Sequence, residues 1–186
     1  NCAGRTRSII GAQSLINAGV ANRVVALENG TMGWHLAGLD LERGMDRAPP
    51  AVSADGLERA QAAASRIAAR SRVGTLDHAT LHAWRQDDDR SLFLLDVRTP
   101  EEYAAGHLAG ALPAPGGQLV QATDRYVGVR GARLVLIDDD GVRAKMTASW
   151  LIQMGWNDVF VLEDALAVLK DPHREFLDWD KVKAEV

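Results

Sequence analysis

Residues Leu92-Phe93-Leu94-Leu95-Asp96-Val97-Arg98-Thr99-Pro100-Glu101-Glu102-Tyr103, followed by Gly106-His107-Leu108 and Gly110-Ala111, decide the fold class of this chain. Residues 92–95 are an unbroken apolar run, the pattern of a strand covered on both faces, as in a parallel sheet. Thr99 with Glu102 three positions later makes a capping box, Pro100 stands at the first helical position, and Gly106 ends the short helix they open. A buried strand turning into a capped helix is one step of an α/β fold. Asp96, Arg98 and His107 are polar residues inside this frame, and their expected work is to tie its loops together by hydrogen bonds.

On either side the alternation continues. Asp77 opens a helix carrying Leu81 and Trp84, and the apolar run Arg133-Leu134-Val135-Leu136-Ile137 predicts a second buried strand that leads into Asp138-Asp139-Asp140-Gly141-Val142-Arg143. Residues 73–170 therefore read as one α/β unit. Its Asp-x-Arg-x-Pro-x-Glu-Tyr and Gly-His-x-x-Gly-Ala pattern is similar to the signature of the rhodanese (sulfurtransferase) family, with eight or more positions matching in order. The resemblance implies a parallel sheet with helices on both faces.

The chain also resembles itself. Sliding it by 136 positions superposes Arg7 on Arg143, Ser8 on Ala144, Leu15 on Leu151, Ile16 on Ile152 and Gly19 on Gly155. At an offset of 135, Leu27-Glu28 falls on Leu162-Glu163. The expected organisation is the C-terminal half of one rhodanese unit (1–44), a linker with a helix (45–72), a near-complete second unit (73–170) and a tail (171–186). The start inside a motif and the absence of an initiator Met suggest a piece of a longer tandem protein.

The first unit holds the only cysteine. Asn1-Cys2-Ala3-Gly4-Arg5-Thr6-Arg7-Ser8 sets a thiol at the head of a short loop that runs into a helix, with Ser8 expected as the cap and Ile9, Ile10, Ala12, Leu15 and Ile16 as its apolar face. Backbone N–H groups and the positive end of the helix dipole stabilise a thiolate there, and Arg5 and Arg7 add cationic charge. Val24-Val25-Ala26-Leu27 is expected as a buried strand, before Glu28-Asn29-Gly30 and Trp34. This order resembles the second half of a rhodanese unit. The loop of residues 2–7 has the length typical of sulfurtransferases. Cysteine-dependent phosphatases and arsenate reductases, the competing thiolate chemistry, have their arginine six positions after the cysteine, where this chain has Ser8.

The resemblance implies that Cys2 is the nucleophile and that Ala3, Gly4, Arg5, Thr6 and Arg7 bind the substrate, the loop amides stabilising persulfide charge and the two arginines holding an anionic sulfur donor such as thiosulfate. Cyanide or a thiol is the implied acceptor, and no metal or organic cofactor is required. In the second unit Asp138 stands where Cys2 does, and a carboxylate carries no persulfide. Asp138 and Arg143 thus mark a degenerate second site, with a structural or partner-binding role. Asp138 to Asp140 are read as loop caps rather than as ligands of a hard cation. The rival reading of the whole chain is a non-catalytic binding or regulatory module.

Composition bounds the rest. With 47% hydrophobic residues among 186 the chain can bury a core, and a net charge of -4 argues against nucleic acid held by bulk charge. Pro49-Pro50 bars a helix through 44–50, whereas Ser53, Leu57, Ala60, Ala64, Ile67 and Ala68 predict a connecting helix ending near Ser71, with Arg59, Arg66 and Arg70 on its solvated faces. Leu166, Val168, Leu169, Phe176, Leu177 and Trp179 give the tail residues to pack. No run reaches the roughly 20 apolar residues of a membrane span, so no membrane partner is expected. One cysteine and a working thiolate fit a reducing compartment, read as the cytoplasm, although a targeting segment could have preceded Asn1. Packing between the two units is expected, and a homo-oligomer is allowed.

Overall fold

The computed structural model describes residues 2–44 and 50–167. Seven helices and five strands are formed among them: α1 (Thr6–Ala18), α2 (Gly30–Leu36), α3 (Ala54–Ser71), β1 (Gly74–Leu76), α4 (His78–Arg85), β2 (Leu92–Asp96), α5 (Pro100–Ala105), β3 (Leu112–Pro113), α6 (Gly116–Gln121), β4 (Arg133–Ile137), α7 (Arg143–Gln153) and β5 (Val159–Leu162), with a 3-10 turn at Thr123–Arg125. All strands are parallel, in the order β1-β5-β4-β2-β3.

Alternation along the strands divides the core in two. Leu134 and Leu136 face the same layer as Leu95, Val159 and Val161, where Leu119 of α6 and Ala144, Ala148 and Leu151 of α7 cover them. Val135 and Ile137 point the other way, with Leu76, Leu94 and Leu162, under Leu81 of α4 and the partly buried Tyr103 of α5. The sheet thus carries helices on both faces, as expected.

The local signals at the helix starts act as the sequence requires. Asp77 accepts the Thr80 amide at 2.8 Å, and Ser53 accepts that of Gly56 at 3.1 Å. Thr99 and Glu102 exchange both bonds of the capping box, at 3.3 and 2.8 Å. Arg98 pairs with the buried carboxylate of Asp96 at 2.7 Å and donates to the Gly106 carbonyl at 2.7 Å, while His107 stacks on Tyr103 at 3.9 Å. These residues fasten the β2–α5 loop.

Helix α3 is more than a connector: Ala63, Ala64, Ile67 and Ala68 are buried, and the three alanines let it lie close along α7. Helix α1 packs on α6 and α3, outside the sheet. Trp150 Nε1 donates to Ser14 Oγ at 2.9 Å, joining two residues that the 136-position offset pairs with each other.

Two expectations for the first segment do not hold. Residues 24–27 form no strand, and Val25 is 69% exposed, because the five strands of the sheet all come from 74–162 and none lies beside this run to pair with it. Ser8 is not the helix cap; α1 starts earlier, with Arg5 at the N-cap and no side-chain cap bond. The expected irregular segment at 45–49, and Val168, Leu169, Phe176, Leu177 and Trp179, lie outside the described residues.

Candidate active site

Cys2 lies just ahead of α1. The six residues from Cys2 to Arg7 run straight into α1, with Thr6 and Arg7 already in its first turn. Amides of that turn have no intrahelical acceptor and remain available to an anion. The Cys2 Sγ lies 3.7 Å from Ser8 Oγ, and the Ser8 hydroxyl donates to the Arg5 carbonyl at 2.9 Å. A hydroxyl can turn its proton to whichever acceptor is charged. Ser8 lowers the Cys2 pKa most, first through that hydroxyl and then through its backbone amide; partial desolvation opposes this, and the amides of Gly4 and Arg7 assist it.

Of the residues expected around the thiol, Gly4 and Arg7 thus reach it through their amides. Arg5 and Arg7 are exposed at the mouth of the loop. Arg7 also leans toward the sheet domain, its Cδ standing 3.9 Å from the point a Cβ on Gly117 of α6 would occupy. Ala3, in the loop, and Thr6, at the start of α1, are exposed. Ser8 is the residue that sequence reasoning misassigned; its burial, at 9% exposure beside the half-buried thiol, distinguishes it from a surface cap.

The Asp138 site repeats one element of this geometry, the amide six positions on, around a different anion. Asp138 follows β4 directly, at the carboxyl end of the sheet, where open α/β folds place their ligands. Its carboxylate accepts the amides of Gly141 at 3.0 Å and Ala144 at 2.9 Å. The Ala144 amide is the one that the offset pairs with the Ser8 amide at Cys2. Asp138 therefore fills its own cradle. Burial raises its pKa, to about 6, against the pull of the Ala144 amide and with the help of neighbouring Asp140.

Arg143 is occupied as well. It bonds Glu102 at 2.6 and 3.1 Å and Asp139 at 2.6 Å, while Asp140 accepts the Val142 amide at 2.8 Å. The Arg143 hydrogen bond foremost holds the Glu102 carboxyl down at about 2. Among the described residues no group of three or more His, Cys, Asp or Glu side chains is arranged to hold a metal ion, and no helix is long and apolar enough to cross a membrane.

Comparison with known proteins gives four findings. The family described as Rhodanese-like domain matches residues 77–170. The crystal structure of a thiosulfate sulfurtransferase from Pseudomonas aeruginosa is similar over 88% of this chain, with 61% sequence identity and a TM-score of 0.84; the chain spans 31% of that protein's length. The solution structure of a rhodanese-like domain from an Anabaena protein aligns with 52% of this chain and 72% of its own, at 25% identity and a TM-score of 0.41. No curated protein matches.

Proposed function

The chain belongs to the rhodanese-like domain family, and we propose that it transfers a sulfane sulfur through a persulfide on Cys2. One observation carries this reading: the only cysteine sits before a helix with its pKa lowered by the Ser8 hydroxyl and by the amides of Ser8, Gly4 and Arg7. A lowered pKa enlarges the thiolate share at a given pH, and the thiolate is the nucleophile.

The Cys2 thiolate attacks the outer sulfur of thiosulfate. The sulfur–sulfur bond of the donor breaks, its electron pair leaves with sulfite, and the sulfur remains on Cys2 as a persulfide. Cyanide or a thiolate then attacks the terminal sulfur, leaves as thiocyanate or as a new persulfide, and returns the Cys2 thiolate. Arg5 and Arg7, exposed at the loop mouth, attract and orient the doubly charged donor. The amides of Gly4, Arg7 and Ser8 take up the negative charge of thiolate and persulfide alike.

In this reading the chain holds two related units, and only the first is chemical. The paired amides of Ser8 at Cys2 and Ala144 at Asp138 support the kinship of the units, and the carboxylate in place of the thiol supports that division. Asp138 supplies a built-in anion where a donor would bind, so the second unit supports the first by packing, and a reducing compartment suits the pair. The test is thiocyanate formation from thiosulfate and cyanide by the chain, alone and with an upstream half unit restored. Cys2→Ala should abolish it. Turnover that persists in Cys2→Ala would refute the assignment and favour a binding module built on the Asp138 unit.

A further inference from the structure

The Cys2 loop is held from behind. The Cys2 carbonyl accepts the Thr31 amide at 2.9 Å, and the Ala3 carbonyl accepts that of Met32 at 3.0 Å, both from the first turn of α2. Just ahead of both lies Gly30. A Cβ there would stand 2.0 Å from the Gly4 carbonyl oxygen, 2.2 Å from that of Cys2 and 2.9 Å from that of Ala3. All three obstacles are backbone atoms, which cannot swing aside as a side-chain end can. Gly30 also has φ +62 and follows Asn29 at φ 54, so two successive residues take the left-handed conformation that Gly and Asn accept most readily.

Peptide planarity links this rear contact to the chemistry. In a trans peptide the carbonyl of one residue and the N–H of the next point in opposite directions. Drawing the carbonyls of Cys2, Ala3 and Gly4 toward Gly30 therefore sends the following amides to the other side of the loop, and the Gly4 amide is among those that lower the Cys2 pKa. The second unit provides an internal comparison. At the 135-position offset Asn29 corresponds to Asp164, which has φ 48, but Gly30 corresponds to Ala165, a core residue 3% exposed. The backbone bend recurs, and the missing side chain occurs only beside the thiol.

We propose that Gly30 is a positioning residue for Cys2: its bare backbone lets three consecutive loop carbonyls converge on α2 and thereby aims the loop amides at the sulfur. This rests on Cys2 as the working thiol of the function proposed above. The experiment uses the full 186-residue chain and follows alkylation of its single cysteine by iodoacetamide against pH. Gly30→Ala should move the midpoint up by about one unit and slow alkylation at neutral pH about tenfold. Gly38→Ala serves as control, since Gly38 has a similar φ of +76 but nothing within 4 Å of its Cβ direction, and it should leave the profile where it was.

A Gly30→Ala profile that overlays the parent's overturns the assignment, as does an equal shift in Gly38→Ala. Hydrogen exchange of the unsubstituted chain decides the matter even where Gly30→Ala fails to fold. Slow exchange at the Thr31 and Met32 amides supports the platform, and exchange at free-peptide rates overturns it. Sulfur uptake is read separately. A parent chain with the low alkylation midpoint that takes no sulfur from thiosulfate defeats the sulfur-transfer reading and leaves Gly30 its role; a chain that takes up sulfur while Gly30→Ala alkylates normally defeats only the role of Gly30.

Discussion

Replacing Asp138 by Asn should flatten the dependence of stability on pH, by an amount the geometry of the site sets. Asp138 is 5% exposed, and burial raises its folded pKa to about 6, above the value of about 3.9 expected of an unfolded aspartate. A raised acid pKa means that the native state holds the extra proton, so stability is added as pH falls through 6 and the gain is complete below about 4. A difference of about two units at 1.36 kcal/mol each gives roughly 3 kcal/mol in all, of which about 2 kcal/mol arrives between pH ~8 and ~4.5. The carboxamide that replaces the acid cannot titrate. It retains one oxygen for the amide of Gly141 or Ala144 and turns its NH2 toward the other, which costs about 1–3 kcal/mol at every pH. The difference in unfolding free energy between parent and Asp138→Asn should therefore move by about 2 kcal/mol in the parent's favour on going from pH ~8 to ~4.5. Urea unfolding followed by tryptophan fluorescence measures it, because Trp156 lies in the core. Parallel stability curves for the two proteins would refute the view that Asp138 is a buried, proton-seeking plug.

Leu151 is 0% exposed and its offset partner Leu15 is 50% exposed, so Leu151→Ala should cost about 2–5 kcal/mol and Leu15→Ala less than about 1 kcal/mol in chemical denaturation; equal losses would contradict the description of α1 as an outlying helix. Ser8→Ala should raise the midpoint of Cys2 alkylation and leave thermal stability nearly unchanged, since Ala144 occupies the paired position; an unmoved midpoint would remove Ser8 from the site. Glu102→Gln breaks an ion pair with Arg143 whose carboxylate side chain is 37% exposed, so solvent screening limits the loss to about 1 kcal/mol, or about 2–4 °C in Tm. Because the folded pKa of Glu102 is depressed to about 2, the advantage of the parent should be present above pH ~4.5 and vanish as pH falls toward 2; an advantage that persists at pH 2 would mean that the ion pair is not its source.

The parts of the fold that were legible in the sequence are those whose signal is local. The capping box of Thr99 and Glu102, the Asp77 and Ser53 caps and the apolar runs of β2 and β4 each depend on neighbours a few residues away. Val24 to Leu27 carry the same apolar pattern as a strand, yet a strand exists only where another lies beside it, and that partner is a property of the assembled sheet. The position of Cys2 could be read from its loop. Ser8 was misread because Ser before an apolar helix is an ordinary cap, and only the three-dimensional turn brings its hydroxyl to the sulfur. Gly30 was visible as a residue without its purpose, since the carbonyls it accommodates come from residues 26 to 28 positions earlier.

Intact mass spectrometry after brief exposure to thiosulfate tests the central claim most directly, applied to this chain and to the same chain extended upstream by a half unit. The account predicts a gain of one sulfur atom, located on Cys2, removed by cyanide and absent from Cys2→Ala. No uptake of sulfur by either form, or uptake that survives Cys2→Ala, would contradict it.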